Sequence, residues 1–143
     1  MALAIGSWFR PLPSTKASAP PAPTYTDQQV GSAKANVCTA FEKVQHSRDL
    51  VQAQVGSSDH ATQLGVAALT EINLDFSNRY LLTTLAEEPA TPPELGASVR
   101  KQANAFEEIL VNYFVGIYRS DPAMQPALNA SDEATATIQR LCK

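Results

Sequence analysis

Apolar residues recur along most of this chain at spacings of three, four and seven, the period of helices that bury one face. The first such stretch carries Val30, Ala33, Val37, Phe41, Val44, Val51 and Val55 on one line, with Lys34, Glu42, Lys43 and Asp49 off it. Thr26 followed three positions later by Gln29 is a capping box that opens the helix, and Gly56, Ser57 and Ser58 close it. About 29 residues at about 1.5 Å each predict a helix roughly 44 Å long. A second helix, capped by Ser58 or Asp59, carries Leu64, Ala68, Leu69, Ile72, Phe76, Tyr80, Leu82 and Leu85, with Leu74 and Leu81 on a second face. So wide an apolar band predicts more than one neighbour. The helix stops at Glu87 and Glu88, because the residue before Pro89 is pushed away from helical geometry.

Thr91, Pro92, Pro93 and Glu94 then spell a second capping box, with proline at the first helical position. The third helix is expected to begin at Pro92 and to run along the seam Leu95, Val99, Ala103, Phe106, Leu110, Tyr113 and Ile117 until Asp121 and Pro122 stop it. Pro126 restarts the chain in a helix of about 17 residues marked by Leu128, Ser131, Thr135, Ile138 and Leu141. Asp132 and Glu133 lie early in it and Arg140 and Lys143 late, as the helix dipole favours. Four helices with short connections predict an all-α fold over residues 26–143. Its architecture would be an antiparallel four-helix up-down-up-down bundle, three helices long and the fourth shorter.

The N-terminus follows another rule. Residues 11–25 hold Pro11, Pro13, Pro20, Pro21 and Pro23 among Ala, Ser and Thr, a composition that buries too little to offset chain entropy. An extended spacer is expected there, able to hold a domain some 40 Å from a surface at about 3.1 Å per residue. Residues 1–10 are an apolar stub ending in Trp8, Phe9 and Arg10, the make-up of a membrane–water boundary. So short a stub falls well below the roughly 20 residues of a membrane span, so it reads as the end of a longer apolar anchor. Stub, stalk and domain together predict a single-pass protein of the cell membrane with its domain outside the cytoplasm.

Charge excludes one class of partner. Arg10 and Lys16 make residues 1–25 +2, which leaves 9 basic against 14 acidic groups, or −5, in residues 26–143. Duplex binding requires clustered Lys and Arg, and no cluster exists, so nucleic acid is not an expected partner.

Cys38 and Cys142 are either two free thiols or one disulfide, according to compartment. The bundle makes a geometric demand on them. If the fourth helix runs antiparallel to the first and Cys142 sits beside Cys38, then Leu128, fourteen residues back, falls near Gln52, at the end of the first helix. Both ends of the register close, which favours the disulfide. In that register the fourth helix stops near the level of Cys38, leaving the hairpin end of the bundle without a fourth wall. Val30, Leu82, Leu85, Leu95 and Val99 would then line an apolar groove rimmed by Glu87, Glu88 and Glu94.

No catalytic set presents itself. Glu42 and His46 stand one turn apart, but carboxylate-bridged metal bundles use Glu-x-x-His pairs on two helices, and neither is found. His46 and His60 read as solvated surface residues. No nucleophile elbow, phosphate-binding glycine loop or His-Glu-x-x-His occurs, and adjacent acids such as Glu107 and Glu108 diverge on a helix. The chain is therefore not expected to be an enzyme or to need a cofactor or metal.

The Tyr25 to Val30 opening, the Val37–Cys38 pair, the run from Tyr80 through Leu82, Thr83, Leu85, Glu87, Glu88 and Pro89 to Glu94, and the ending Ala130 to Cys142 resemble a family of actinobacterial, largely mycobacterial, alanine- and proline-rich proteins. These are membrane-anchored and of unknown function. The resemblance implies one N-terminal membrane span and an exported helical domain, and it brings no activity. The functional expectation is a non-catalytic interaction module outside the membrane that binds an envelope protein. The alternative is a carrier or sensor of an apolar small molecule or lipid.

Overall fold

The computed structural model describes residues 23–55 and 59–143. Among them every regular element is helical: α1 Asp27–Gln52, α2 His60–Glu87, α3 Pro93–Phe114 and α4 Gln125–Leu141, with a 3-10 turn over Pro122–Met124 leading into α4. The expected stub, and the spacer as far as residue 22, lie outside the described residues.

Helix ends show which local signals governed the chain. At α1 the Thr26 side chain accepts from the Gln29 amide at 3.3 Å and Gln29 Oε1 accepts from the Thr26 amide at 2.8 Å, the expected capping box. Asp59 caps α2, accepting from the Thr62 amide at 2.8 Å. At α3 the expected box does not form. Pro92 precedes Pro93, and the ring of the second proline forces the first into extended geometry, ψ 133°, so the helix starts one residue later than Thr91 requires. Pro92 becomes the N-cap with no side-chain acceptor, and the Thr91 hydroxyl donates back to the Glu88 carbonyl at 2.6 Å, tightening the hairpin.

α3 also ends seven residues before Asp121. Gly116 adopts φ +83°, its amide bonds the Tyr113 carbonyl, and the Ile117 amide reaches back to the Asn112 carbonyl at 2.9 Å. This is a Schellman stop, which a glycine supplies at no steric cost. Ile117 folds back against the core instead of continuing the seam.

α2 packs on α1 and α3, and α3 packs on α4. Across α1 and α2, Asn36 bonds Glu88 and Ser47 bonds Asn73. Across α3 and α4, Glu94 meets Arg140, Lys101 meets Glu133, and Gln102 meets both Ser131 and Thr135. Rising numbers on one helix meet falling numbers on the next. Phe106 lies at the centre of the core, fully buried with Val37, Leu81, Leu95, Val99, Met124 and Ile138.

A polar ladder crosses that core. The buried Gln102 donates from Nε2 to Ser131 Oγ at 2.8 Å and accepts at Oε1 from the Thr135 hydroxyl at 2.8 Å, and Gln45 Nε2 donates to Thr135 Oγ1 at 3.4 Å. Every buried amide atom of Gln102 is thereby used, which is the condition for tolerating it inside. Cys38 and Cys142 form a disulfide with Cα atoms 5.7 Å apart. Gln45 stands seven residues after Cys38 and Thr135 seven before Cys142, so their hydrogen bond is the next rung of the register expected from the cysteines.

Candidate functional site

The residues expected to line an apolar groove at the hairpin are brought together, but largely as core. Leu85, Leu95 and Val99 are 7%, 1% and 0% exposed and pack on one another and on the rest of the interior. Only Val30, half-buried, and Leu82, exposed, keep apolar surface there. The reason is the reach of α4. Its last turn meets the first turn of α3, with Arg140 Nη2 and Glu94 Oε1 3.0 Å apart, so α3 has a fourth-helix neighbour up to the hairpin. Of the expected acidic rim, Glu88 accepts from Asn36 Nδ2 at 2.6 Å, Glu94 takes Arg140, and Glu87 is exposed.

The exposed apolar surface lies instead on α2. Its buried residues are Leu74, Ser77, Leu81 and Leu85. At about 100° per residue these share one face, and Gly65, Leu69, Ile72 and Phe76 fall on the opposite one. Leu64, Leu69, Ile72 and Phe76 are 60%, 44%, 64% and 58% exposed. Of the two faces read from the sequence, the longer line is thus largely exposed, apart from Leu85 and from Tyr80, which packs against the core, and the second face is buried. Ser77 disguised this: a hydroxyl in the buried line weakened its apolar signature, although it hydrogen-bonds Asn73 Oδ1 and sits at 0% exposure.

The first half of α2 is thinly covered on its other sides as well. No residue from His60 to Asn73 is buried, although Thr70 and Asn73 line one cleft with Val51 and Gln52 at the end of α1. Isolated helices of this length are marginal in water, so a helical arm with outward Leu and Ile lacks most of what ordinarily stabilises one. Phe76 stacks on Tyr80, ring centroids 5.7 Å apart, and the exposed Asp75 and Arg79 pair with each other one turn apart.

A second feature is a cleft of about 350 Å³ at the end of the molecule remote from the hairpin, lined among others by Arg48, Asp49, Leu74, Ile109, Arg119 and Asp132. Arg48 lies beneath it with its guanidinium carbon 4.9 Å from the centroid of the Phe106 ring, a cation–π placement. Burial lowers its pKa from the usual arginine value, opposed by the charges of Asp132 and Asp49 and reinforced by Arg119. Among the described residues no carboxylate closes an ion pair on it. Its lining sets two arginines and two aspartates beside neutral polar side chains such as Thr70, Asn73 and Thr135 and apolar ones such as Leu74 and Ile109.

A shallower cleft of about 420 Å³ between α1 and the end of α4 contains Glu42, His46 and Asp49. Among the described residues no group of three or more His, Cys, Asp or Glu is close enough to hold a metal ion, and no helix is long and apolar enough to cross a membrane. The chain matches no protein-family model, no curated protein and no solved structure.

Proposed function

We propose that this chain is a non-catalytic protein-interaction module, and that its binding face is the outward stripe of α2. One observation carries the reading: a line of large apolar side chains, each about half exposed or more, on the face opposite the core. Contiguous exposed apolar surface of this kind is uncommon on a monomer and marks contact with another macromolecule. The supporting scaffold is an antiparallel up-down-up-down bundle, a reading consistent with the opposed numbering across each helix pair. The Cys38–Cys142 disulfide supports placement outside the cytoplasm, since such bonds persist in oxidising compartments. The N-terminal stub would serve as a tether and the Pro-rich spacer as its stalk.

The test is a photo-crosslinking residue placed at Ile72 in cells, against the same residue at the exposed Asn104 on α3. A discrete adduct at Ile72 and none at Asn104 is expected. Equal labelling of both positions, or of neither, refutes the stripe as a binding face. The Arg48 cleft favours a second reading, a carrier or sensor of a small amphipathic ligand. Recovery of a defined lipid or metabolite from the purified chain, lost on Arg48→Ala, would favour it.

A further inference from the structure

The outward face of α2 grades from small to large along the helix, and that gradient identifies what fits it. Along the middle of the stripe stand Ala61, Gly65 and Ala68 toward the N-terminus, flanked by Leu64 and Leu69, and Phe76 and Arg79 toward the C-terminus, with Ile72 between them. A side chain built on Gly65 would meet no atom within 4 Å, so there is open space above it. We propose that this face seats a second copy of the chain, the two α2 helices lying antiparallel about a twofold axis at Ile72.

In that register each residue faces the one equally far from Ile72 on the other side. Phe76 of one copy falls on Ala68 of the other, four residues out in each direction. Arg79 falls on Gly65, seven out. Large side chains enter the space that small ones leave, at both ends at once, as an isologous interface requires. A parallel pairing would set large against large at one end and leave a gap at the other. Leu64, eight residues out, meets the level of Tyr80 of the other copy.

The area is that of a weak, reversible pairing. With about 200 Å² for a large apolar side chain, the exposures leave roughly 450 Å² open on Leu64, Leu69, Ile72 and Phe76, or about 900 Å² over two copies, at the low end of specific interfaces. A lipid surface fits less well. Helices that lie on membranes carry Lys and Arg along their polar flanks, whereas α2 has Arg79 alone against Glu71, Asp75 and Glu87. The face is a convex helix surface, which excludes a small-molecule guest.

This inference rests on the interaction-module reading, and the experiment separates their failures. Both native cysteines are joined to each other, so a cysteine introduced into the full chain is its sole free thiol. Ile72→Cys places two thiols face to face at the axis, and mild oxidation should convert most of the chain to a covalent dimer of twice 15.4 kDa. Arg79→Cys should stay uncrosslinked, because the two copies of that position lie about 21 Å apart along the axis, fourteen residues at about 1.5 Å each. Phe76→Glu should weaken association about 100-fold in sedimentation equilibrium while leaving the helical circular dichroism intact, since Phe76 is exposed in the single copy. Arg79→Cys crosslinking as readily as Ile72→Cys overturns the antiparallel register. A mass of 15.4 kDa at every concentration, or a dimer indifferent to Phe76→Glu, overturns the self-pairing. A chain that stays monomeric but gives a discrete heterologous adduct at Ile72 in cells refutes this inference and leaves the interaction module standing; a monomer with no adduct refutes both.

Discussion

Removing the disulfide should lower the melting temperature of this domain by roughly 15 to 20 °C. The bridge closes a sequence separation of 104 residues. Constraining a loop of that length in the unfolded chain is worth about 4.7 kcal/mol by the loop-closure argument. A domain of this length unfolds with an entropy of about 0.25 kcal/mol per kelvin, which converts the loss to nearly 20 °C. The native state adds a reason not to expect less. α1 packs chiefly on α2, and its contact with α4 beyond the bridge includes one long hydrogen bond, Gln45 to Thr135 at 3.4 Å. Little else is placed to hold that seam when the bridge is cut. The assay is calorimetry of the Cys38→Ala/Cys142→Ala double variant beside the oxidised parent, with amide exchange to locate the loss. Exchange should accelerate first in α1 and the last turn of α4, and least in α3. A melting temperature within 5 °C of the parent, or uniform acceleration across all four helices, would refute the reasoning.

The two faces of α2 predict opposite sensitivities: Leu81→Ala, at 1% exposure, should cost about 2 to 5 kcal/mol in denaturant unfolding, and Ile72→Ala in the single copy about 0.5 or less. Gln102→Ala should cost about 2 to 4 kcal/mol, because Ser131 and Thr135 lose their partner in the interior as well as the volume; Gln102→Met should recover part of it by restoring the packing. The Asp59 carboxyl is held below the usual carboxylate range, first by the Thr62 hydroxyl and then by the Thr62 amide. Its folded pKa is depressed, so the cap is fully present above the ordinary value of 3.8 and is lost as pH falls through the lower one; exchange of the Thr62 amide should accelerate only in that acid range, and Asp59→Asn should remove the dependence.

Those features of the chain that depend on a few neighbouring residues were legible in its sequence. Thr26 with Gln29, the stop before Pro89 and the restart near Pro126 each follow from local backbone chemistry, and each of these three boundaries stands where expected within a residue or two, whereas α1 ends at Gln52, three residues short of Val55, the last before the expected stop at Gly56. The cysteine pair was legible because two helices of known rise must agree at both ends. Misreadings came where two rules competed. Thr91 and Glu94 have the spacing of a box, but the Pro92–Pro93 step moves the helix start, and the steric rule outweighs a cap worth about 1 kcal/mol. Gly116 carries the signal for the end of α3, a single glycine five residues ahead of the more conspicuous Asp121–Pro122. The faces of α2 were not decidable from periodicity alone, since two apolar lines half a turn apart are equal candidates until the neighbours' lengths are known. Placing the open groove at the hairpin failed for the same reason: α4 reaches Glu94 on α3, and a register fixed only against α1 did not include that contact.

The disulfide also decides where mechanical load travels. A pull between the N-terminal tail and Lys143 runs along α1 from Asp27 to Cys38, crosses to Cys142 and leaves the molecule, so the covalent ring between the cysteines carries no tension. Only the twelve residues from Asp27 to Cys38 can be drawn out, about 40 Å of chain at about 3.4 Å each, and the core behind them stays slack. When the chain is pulled between its ends, the outward face of α2, which lies wholly within the ring, keeps its shape.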